Sequence, residues 1–213
     1  MGTSNWQNIS YCIGKIRKIK PQSILDIGVG YGRWGILSRE FLEVWEGCTY
    51  KENWKLRIDG IEAFAKNIVT YHNYFYNNIL IGDALEEIDS SELLPDYDLI
   101  ILGDVLEHFT KENGIKFLEK CIKKGKFVLL IIPLGEDWPQ SERDGNIYET
   151  HQSVWCTKDL KKYRIIVHKY FNDYLQRKFG VFILAENENL ARESFFKKIK
   201  RYLWFRAREL VRG

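Results

Sequence analysis

A glycine-rich turn near the start of the chain constrains its fold more than any other segment. The sequence Asp-Ile-Gly-Val-Gly-Tyr-Gly occupies residues 26–32, between an apolar run that ends at Leu25 and an apolar-periodic segment over residues 34–41. Glycines permit positive φ angles and a close approach of the backbone to a ligand. The helix that follows offers unpaired N–H groups at its N-terminus. The pattern therefore predicts a strand, a tight turn and a helix, as in nucleotide-binding units.

Four carboxylates stand at the ends of predicted strands. Asp26 precedes the first glycine by two residues, and Glu62 follows the short strand predicted over residues 58–61. Asp83 and Asp104 each come directly after a glycine that ends a further apolar run. In a parallel α/β sheet these strand ends lie along one edge, where ligands bind. Acids so close together repel one another, so they favour a ligand with cationic and hydrogen-bond-donating groups over a pyrophosphate.

The remaining hydrophobic patterns alternate between strand and helix. Apolar spacing predicts helices over residues 5–19, 34–46, 65–76, 85–94 and 111–124. A fifth strand is predicted over residues 127–132, and two strand-like runs, 164–170 and 179–184, form a terminal hairpin. This alternation predicts an α/β fold with a doubly wound, mostly parallel sheet and helices on both of its faces.

Together these residues resemble the class I S-adenosylmethionine-dependent methyltransferases, over residues 21–186. The resemblance implies a Rossmann-like sheet of seven strands with an antiparallel edge hairpin, and S-adenosyl-L-methionine as the cofactor. It implies a first cofactor motif around the methionine part, made of Asp26, Gly28, Gly30 and Gly32. By the same resemblance Glu62 binds both ribose hydroxyls, and Asp83 binds the adenine amine together with the backbone of Ala84. Asp104 would lie near the methionine ammonium.

Two histidines are candidates for the general base that a hydroxyl acceptor needs. His108 follows the fourth predicted strand, and His151 lies in the segment 133–152, which holds two of the four prolines. A loop of this length is typical of a lid or a binding loop. Its aromatic and polar side chains suit a small polar or glycan acceptor. We therefore expect O-methylation of such an acceptor, with His151 and His108 as catalytic residues.

The same region carries a pattern that a metal ion could use. It consists of two acids and two imidazoles: Asp104, Glu107, His108 and His151. The set is similar to the metal site of small-RNA 2′-O-methyltransferases, with Asp104 at the first acid position. However, a Glu-His pair after the fourth strand is widespread in metal-free methyltransferases, and Asp104 is assigned to the cofactor. No metal is therefore expected.

Three alternative functions remain open. Residues 30–35 match G-x-G-x-x-G, the dinucleotide motif of NAD-dependent oxidoreductases, but Glu62 follows Gly30 by 32 residues rather than by about 20. A module that binds S-adenosylmethionine without turnover would carry the same acids. An RNA 2′-O-methyltransferase could use basic residues near the C-terminus for phosphate contacts, although nucleic acid is not an expected partner.

Length and composition indicate one domain and a cytoplasmic location. The chain has 213 residues and four scattered cysteines without a C-x-x-C pair, which is typical of reduced thiols. The start is polar, so no signal peptide is expected. We expect a single domain over residues 1–190 and a basic amphipathic helix over 191–213. The helix is expected to pack on its own domain or in a homodimer, with peripheral contact to an anionic membrane as the alternative.

Overall fold

Seven strands form one mixed sheet in residues 5–185, the part of the chain that this computed structural model describes. The strands are β1 Ser23–Ile27, β2 Arg57–Glu62, β3 Asn78–Ile81, β4 Tyr97–Gly103, β5 Gly125–Pro133, β6 Ile165–Asn172 and β7 Lys178–Leu184. Their order is β3-β2-β1-β4-β5-β7-β6. The first five strands are parallel, whereas β7 is antiparallel to both β5 and β6. The predicted fold class is thereby confirmed, including the antiparallel hairpin at one edge.

Helices cover both faces of the sheet. They are α1 Ile9–Ile19, α2 Arg33–Arg39, α3 His72–Phe75, α4 Ala84–Glu87, α5 Lys111–Lys124 and α6 Thr157–Leu160. Strand β4 shows how the two faces are filled, because its side chains alternate between two hydrophobic clusters. Ile100 packs in the cluster that includes Phe117 of α5, and Ile101 packs in the cluster that includes Ile16 of α1. A strand buried on both faces reads as a continuous apolar run, which is the pattern in the sequence.

Two of the predicted helices are much shorter than expected. Residues 65–76 form only a 3₁₀ turn, Ala65–Asn67, followed by the single helical turn α3. Residues 85–94 contain only α4, and the next turn uses the Ser90 hydroxyl, which accepts a hydrogen bond from the Glu92 N–H at 3.3 Å. Serine side chains that bond to nearby backbone compete with helix formation.

The C-terminal end of α2 is fixed to the sheet by a buried ion pair. The helix continues into a π-helical turn, Glu40–Val44, and the Arg39 guanidinium contacts the Glu43 carboxylate at 2.7 Å. Arg39 also donates to the carbonyl oxygen of Phe75 at 2.9 Å and to Oδ1 of Asn77 at 2.8 Å. Glu43 accepts a hydrogen bond from the Leu56 N–H at 2.9 Å. These contacts hold α2 against the starts of β2 and β3.

Two expectations concern residues that the structure does not describe. The helix predicted over residues 191–213 lies outside the described residues, and so does the end of the domain predicted over 1–190. Within residues 5–185, no helix combines the length and the apolar character that crossing a bilayer requires. The basic helix expected over residues 191–213, called the basic tail below, and its proposed contacts therefore stay predictions from the sequence.

Candidate active site

A cavity of about 560 Å³ opens at the carboxyl ends of the parallel strands. Glu62, Asp83 and Asp104, which follow three different strands, all line it. The long loop between β5 and α6 closes its other side with residues that include Trp138 and His151. This volume lies in the range of small-molecule and cofactor sites, and the position is the edge at which parallel α/β sheets bind ligands.

The glycine-rich turn after β1 forms the floor of the cavity. Gly28 and Gly30 line the cavity and have φ angles of +71° and +52°. A Cβ atom on Gly28 would meet the Val105 side chain at 2.9 Å, so a larger residue would push the turn away from β4. Gly32 does not line the cavity; it stands at the N-terminus of α2. The turn is held from below by His72, whose Nε2 lies 3.0 Å from the Gly30 carbonyl oxygen.

Glu62 connects the end of β2 to the glycine turn. Its carboxylate accepts hydrogen bonds from the N–H of Gly30 at 2.8 Å, from the N–H of Phe64 at 2.9 Å and from Nδ2 of Asn67 at 3.1 Å. A carboxylate offers about four lone-pair positions, so acceptor capacity remains on the cavity side. Glu62 therefore shapes the turn and also lines the cavity.

Asp83 and Ala84 lie on the cavity rim at the start of α4. The Asp83 carboxylate accepts a hydrogen bond from the Leu85 N–H at 2.7 Å and so caps this helix. The cap fixes the direction of the side chain, while its exposed position leaves further acceptor capacity toward the cavity.

Asp26 lies beneath the glycine turn rather than on the cavity surface. Its side chain is 1% exposed and accepts a hydrogen bond from the Tyr76 hydroxyl at 2.5 Å. Burial raises the pKa of Asp26 to about 7; the Tyr76 hydrogen bond opposes this shift, and the nearby Glu62 charge adds to it. Asp26 is therefore placed behind the turn, and its expected contact with the cofactor stays a prediction.

Asp104 follows β4 in an unusual backbone conformation. Its φ angle is +56°, in the left-handed region that non-glycine residues seldom occupy. Its N–H donates to the carbonyl oxygen of Ile131 at 3.0 Å, which holds this geometry against β5. Such strain persists where surrounding contacts fix it and is concentrated at functional sites. Here it directs the chain past the cavity so that Asp104 lines it.

Beyond Asp104 the structure brings together three titratable side chains. Glu107, His108 and His151 each place one oxygen or nitrogen atom within 4.8 Å of the other two. The two imidazole rings meet edge to face, with centroids 4.9 Å apart. The Glu107 carbonyl oxygen accepts hydrogen bonds from the N–H groups of Gln152 and Ser153 at 2.8 and 3.1 Å. These backbone bonds carry His151 of the loop to the end of β4.

Both imidazoles are oriented by backbone carbonyl groups. Nδ1 of His151 lies 2.6 Å from the Trp138 carbonyl oxygen, and Nδ1 of His108 lies 3.2 Å from that of Thr150. Burial lowers the pKa of both rings, and for His108 the neighbouring His151 lowers it further. The rings are therefore neutral near pH 7. A neutral ring that donates one N–H to a carbonyl keeps a lone pair on its other nitrogen.

Glu107 is the member of this cluster that was not expected among the catalytic residues. Its side chain is 1% exposed, and neither carboxylate oxygen meets a hydrogen-bond donor among residues 5–185. Burial raises the pKa of Glu107 well above its ordinary value, and the charge of Asp104 adds to this effect. The Glu-His pair was visible in the sequence, but only the loop bonds show that His151 reaches the same place.

The outer part of the cavity is aromatic and cationic. Trp138 and Tyr148 from the long loop line it together with Tyr174 and Arg177 from the β6–β7 turn. The Arg177 guanidinium lies 4.0 Å above the Trp138 ring and pairs with Asp173 at 2.7 Å. The contribution of the β6–β7 turn was not predicted, because its distance along the chain from the glycine turn gives no signal in the sequence.

Comparison with known proteins gives likenesses in structure alone. No protein-family model and no curated protein sequence matches the chain. A SAM-dependent methyltransferase from Archaeoglobus fulgidus superposes with a TM-score of 0.56 at 16% identity, over 82% of this chain and 93% of its own. An O-methyltransferase family protein from Burkholderia thailandensis gives a TM-score of 0.55 at 9% identity, over 85% and 56% of the two chains.

A third likeness is to the N-terminal domain of EvdMO1, solved in the presence of SAH (S-adenosylhomocysteine) and D-fucose. It has a TM-score of 0.55 at 12% identity, over 87% of this chain and 85% of that one. The seven-stranded, mostly parallel sheet matches the Rossmann-like fold of such methyltransferases. The chain therefore has the fold of the S-adenosylmethionine-dependent methyltransferases.

Proposed function

We propose that this chain is an S-adenosylmethionine-dependent methyltransferase that methylates a hydroxyl group of a small polar or glycan acceptor. The observation that carries the proposal is the placement of Glu62, Asp83 and Asp104 around one cavity above a glycine turn. Three acids on one rim require a ligand with positive charge and hydrogen-bond donors. S-adenosylmethionine has a sulfonium, an ammonium, a ribose diol and an adenine amine, and it would supply an electrophilic methyl group.

The residues around the glycine turn have different proposed roles in binding the cofactor. Glu62 retains acceptor capacity for the ribose hydroxyls after fixing the turn, and Asp104 provides negative charge for the ammonium group. The Asp83 carboxylate is the proposed acceptor for the adenine amine, and the backbone N–H of Ala84 is the proposed donor to the adenine ring. Gly28 and Gly30 keep the floor low enough for close approach. Asp26 and Gly32 support this turn from behind and from the start of α2.

The proposed catalytic residues are His151 and His108. Each neutral ring offers a lone pair at the end of the cavity that is enclosed by the long loop, where it could accept a proton from a hydroxyl acceptor. Methyl transfer otherwise depends on alignment and on exclusion of water. Trp138 and Gln140 belong to the same loop and line the cavity, so the loop can enclose the acceptor while it presents His151.

The chemical character of the outer cavity supports a polar acceptor. Aromatic rings from Trp138 and Tyr148 offer flat apolar faces, and Asn146 and Gln140 offer amide groups. This combination suits a sugar ring, which has apolar C–H faces and hydroxyl edges. The D-fucose in the EvdMO1 structure is in keeping with a sugar acceptor, and it guides the choice of compounds to test.

The test combines cofactor binding with turnover. Calorimetry with the full chain should show binding of S-adenosylhomocysteine and no comparable binding of NAD. Binding of NAD instead would favour an oxidoreductase. Methyl transfer to a panel of sugars should then be followed by mass spectrometry. His151→Ala should lower kcat by about 10²–10⁴-fold and leave cofactor affinity nearly unchanged, with His108→Ala compared in parallel.

Several outcomes would contradict this assignment. Turnover on RNA instead of sugars would favour an RNA 2′-O-methyltransferase. Cofactor binding without turnover on either acceptor class would favour a binding module. If turnover survives both histidine substitutions, the acceptor is nucleophilic without a base, and catalysis rests on alignment.

A further inference from the structure

We propose that Glu107, His108 and His151 form a binding site for one divalent transition-metal ion. The proposal goes beyond methyl transfer and does not depend on it, because the geometry of these three side chains carries it alone. It departs from the expectation, drawn from the sequence, that no metal is bound. That expectation came from residue types and from the resemblance, whereas the contacts of these side chains in the structure favour a bound ion.

The first observation is the convergence of three ligand atoms. One atom from each side chain lies within 4.8 Å of the other two. Ligands of one tetrahedral ion with bonds of about 2.1 Å lie about 3.4 Å apart. Binding therefore draws the three atoms together, by up to about 1.4 Å for a pair at the 4.8 Å limit. The three ligands come from the end of β4 and from the long loop.

The second observation is that Glu107 is buried without a donor. It is 1% exposed, and neither of its oxygens has a hydrogen-bond partner among the described residues. A buried polar group of this kind costs free energy unless it is satisfied. The neighbouring histidines do not satisfy it, because the Nδ1–H groups of His151 and His108 point to backbone carbonyl oxygens. A cation between the three side chains would satisfy the carboxylate and accept both imidazole lone pairs.

The third observation is the support behind the two rings. Nδ1 of His151 contacts the Trp138 carbonyl oxygen, and Nδ1 of His108 contacts that of Thr150. Histidines that bind metals usually donate the N–H of their other nitrogen to a carbonyl or a carboxylate, which fixes the tautomer and the ring direction. Both rings meet this condition through backbone groups of the same loop.

The charge of the whole cavity agrees with a bound cation. Five carboxylates line it: Glu62, Asp83, Asp104, Glu107 and Glu149. Among the described lining residues, the positively charged side chains are those of Arg143 and Arg177. Carboxylates therefore outnumber cationic side chains in the cavity lining, and this excess of acids favours a bound cation.

The ligand set also indicates the kind of ion. Two imidazole nitrogens and one carboxylate oxygen suit Zn²⁺, Mn²⁺, Fe²⁺ or Co²⁺ better than Mg²⁺, which prefers oxygen ligands. Three protein ligands leave further coordination positions open, as in catalytic metal sites. An ion here could hold and polarise an acceptor oxygen. In that form His108 and His151 would act on the acceptor through the ion.

The proposal is tested by direct metal binding to the full chain. Protein stripped with a chelator is titrated with Co²⁺, and the visible absorption of the protein-bound ion is recorded. We expect one Co²⁺ per chain. Glu107→Gln and His151→Ala should each lower the Co²⁺ affinity by about 100-fold or more, since each removes an inner ligand, a loss at least as large as that of a supporting residue. His168→Ala, on the exposed side of β6, is the matched control and should leave binding unchanged.

Two results of the Co²⁺ titration would overturn the proposal. Either no Co²⁺ band appears in the wild-type protein, or the band persists in both Glu107→Gln and His151→Ala. Thermal unfolding of each variant establishes that it is folded before its titration is interpreted, and the two substitutions test the site from different elements. S-adenosylhomocysteine affinity, measured on the same samples, separates the two proposals: its absence with Co²⁺ bound contradicts the proposed function alone.

Discussion

At the scale of single residues, the acids at the strand ends do different work although the sequence presents them alike. Glu62 accepts three hydrogen bonds from its own chain and faces the cavity. Asp26 is buried behind the turn with Tyr76, a partner 50 residues away. The sequence located both acids at strand ends, but it could not separate their roles, because a single long-range hydrogen bond decides them.

Asp26 should make stability depend on pH. Its folded-state pKa of about 7 lies above the ordinary value of 3.8, so between these values the folded protein holds a proton that the unfolded chain has released. Stability should therefore fall as the pH rises from about 4 to about 7. Asp26→Asn, which removes this titration, should gain up to about 4 kcal/mol relative to wild type between pH 4 and pH 8.

Urea unfolding of the cofactor-free protein at the two pH values measures this difference. Asp96→Asn, at an exposed turn before β4, is the control and should not change the pH dependence. If the stability of the wild type changes over this interval in the same way as that of Asp26→Asn, then ionisation of Asp26 does not destabilise the folded protein.

Glu62 provides the sharpest test of cofactor binding. Glu62→Gln keeps the shape of the side chain but removes its charge, and it replaces one acceptor oxygen with a donor. We expect the affinity for S-adenosylhomocysteine to weaken by about 1–3 kcal/mol, as for lost charge-assisted hydrogen bonds. Glu86→Gln, on the exposed face of α4, serves as the control in the same calorimetry. Equal affinities for both variants would remove Glu62 from the proposed site.

At the scale of elements, the sequence predicted the helices whose ends are set by local signals. It did not predict where long-range contacts change a helix. Helix α5 was predicted with the bounds that the structure has. The side chain of Thr110 caps α5, and Gly125 ends it, so local signals were sufficient. Residues 65–76 carry helical spacing, but His72 turns inward to the Gly30 carbonyl. This long-range contact supports the glycine turn at the floor of the cavity, and no local pattern encodes it.

The buried ion pair at the end of α2 should be the most sensitive contact between elements. Arg39→Met removes the partner of the buried Glu43 carboxylate and two hydrogen bonds to the β3 side. The expected loss is about 3–5 kcal/mol, typical of breaking a buried pair on one side. Arg17→Met breaks the exposed pair with Glu46, whose atoms are 2.9 Å apart, and should cost less than about 1 kcal/mol. Chemical denaturation of the two variants compares them directly, and similar losses would contradict a special role for Arg39.

At the scale of the whole molecule, residues 5–185 contain the seven-stranded sheet, two hydrophobic clusters and the cavity. The sequence predicts a separate role for the basic tail. Deletion of residues 195–213 should therefore leave S-adenosylhomocysteine affinity unchanged and alter solubility or oligomeric state. Sedimentation of the full and shortened chains measures the assembly, and calorimetry measures the affinity.

The alternatives for the tail predict other results. Binding of the full chain to anionic liposomes that is lost on deletion, with the same sedimentation for both chains, would favour membrane contact. A loss of cofactor affinity on deletion would mean that the tail contributes to the site, against the single-domain expectation.

The antiparallel edge of the sheet has a consequence for how acceptor choice can change. Because β7 reverses the chain direction, the turn between β6 and β7 arrives at the same edge as the carboxyl ends of β1 to β4. Its residues Tyr174 and Arg177 line the cavity opposite the glycine turn. Mutations there can reshape one wall while the strands that carry Glu62 and Asp104 stay intact. The architecture thus separates a wall carried by a short turn from a wall carried by the sheet, and directed evolution of the proposed acceptor specificity should begin at residues 173–177.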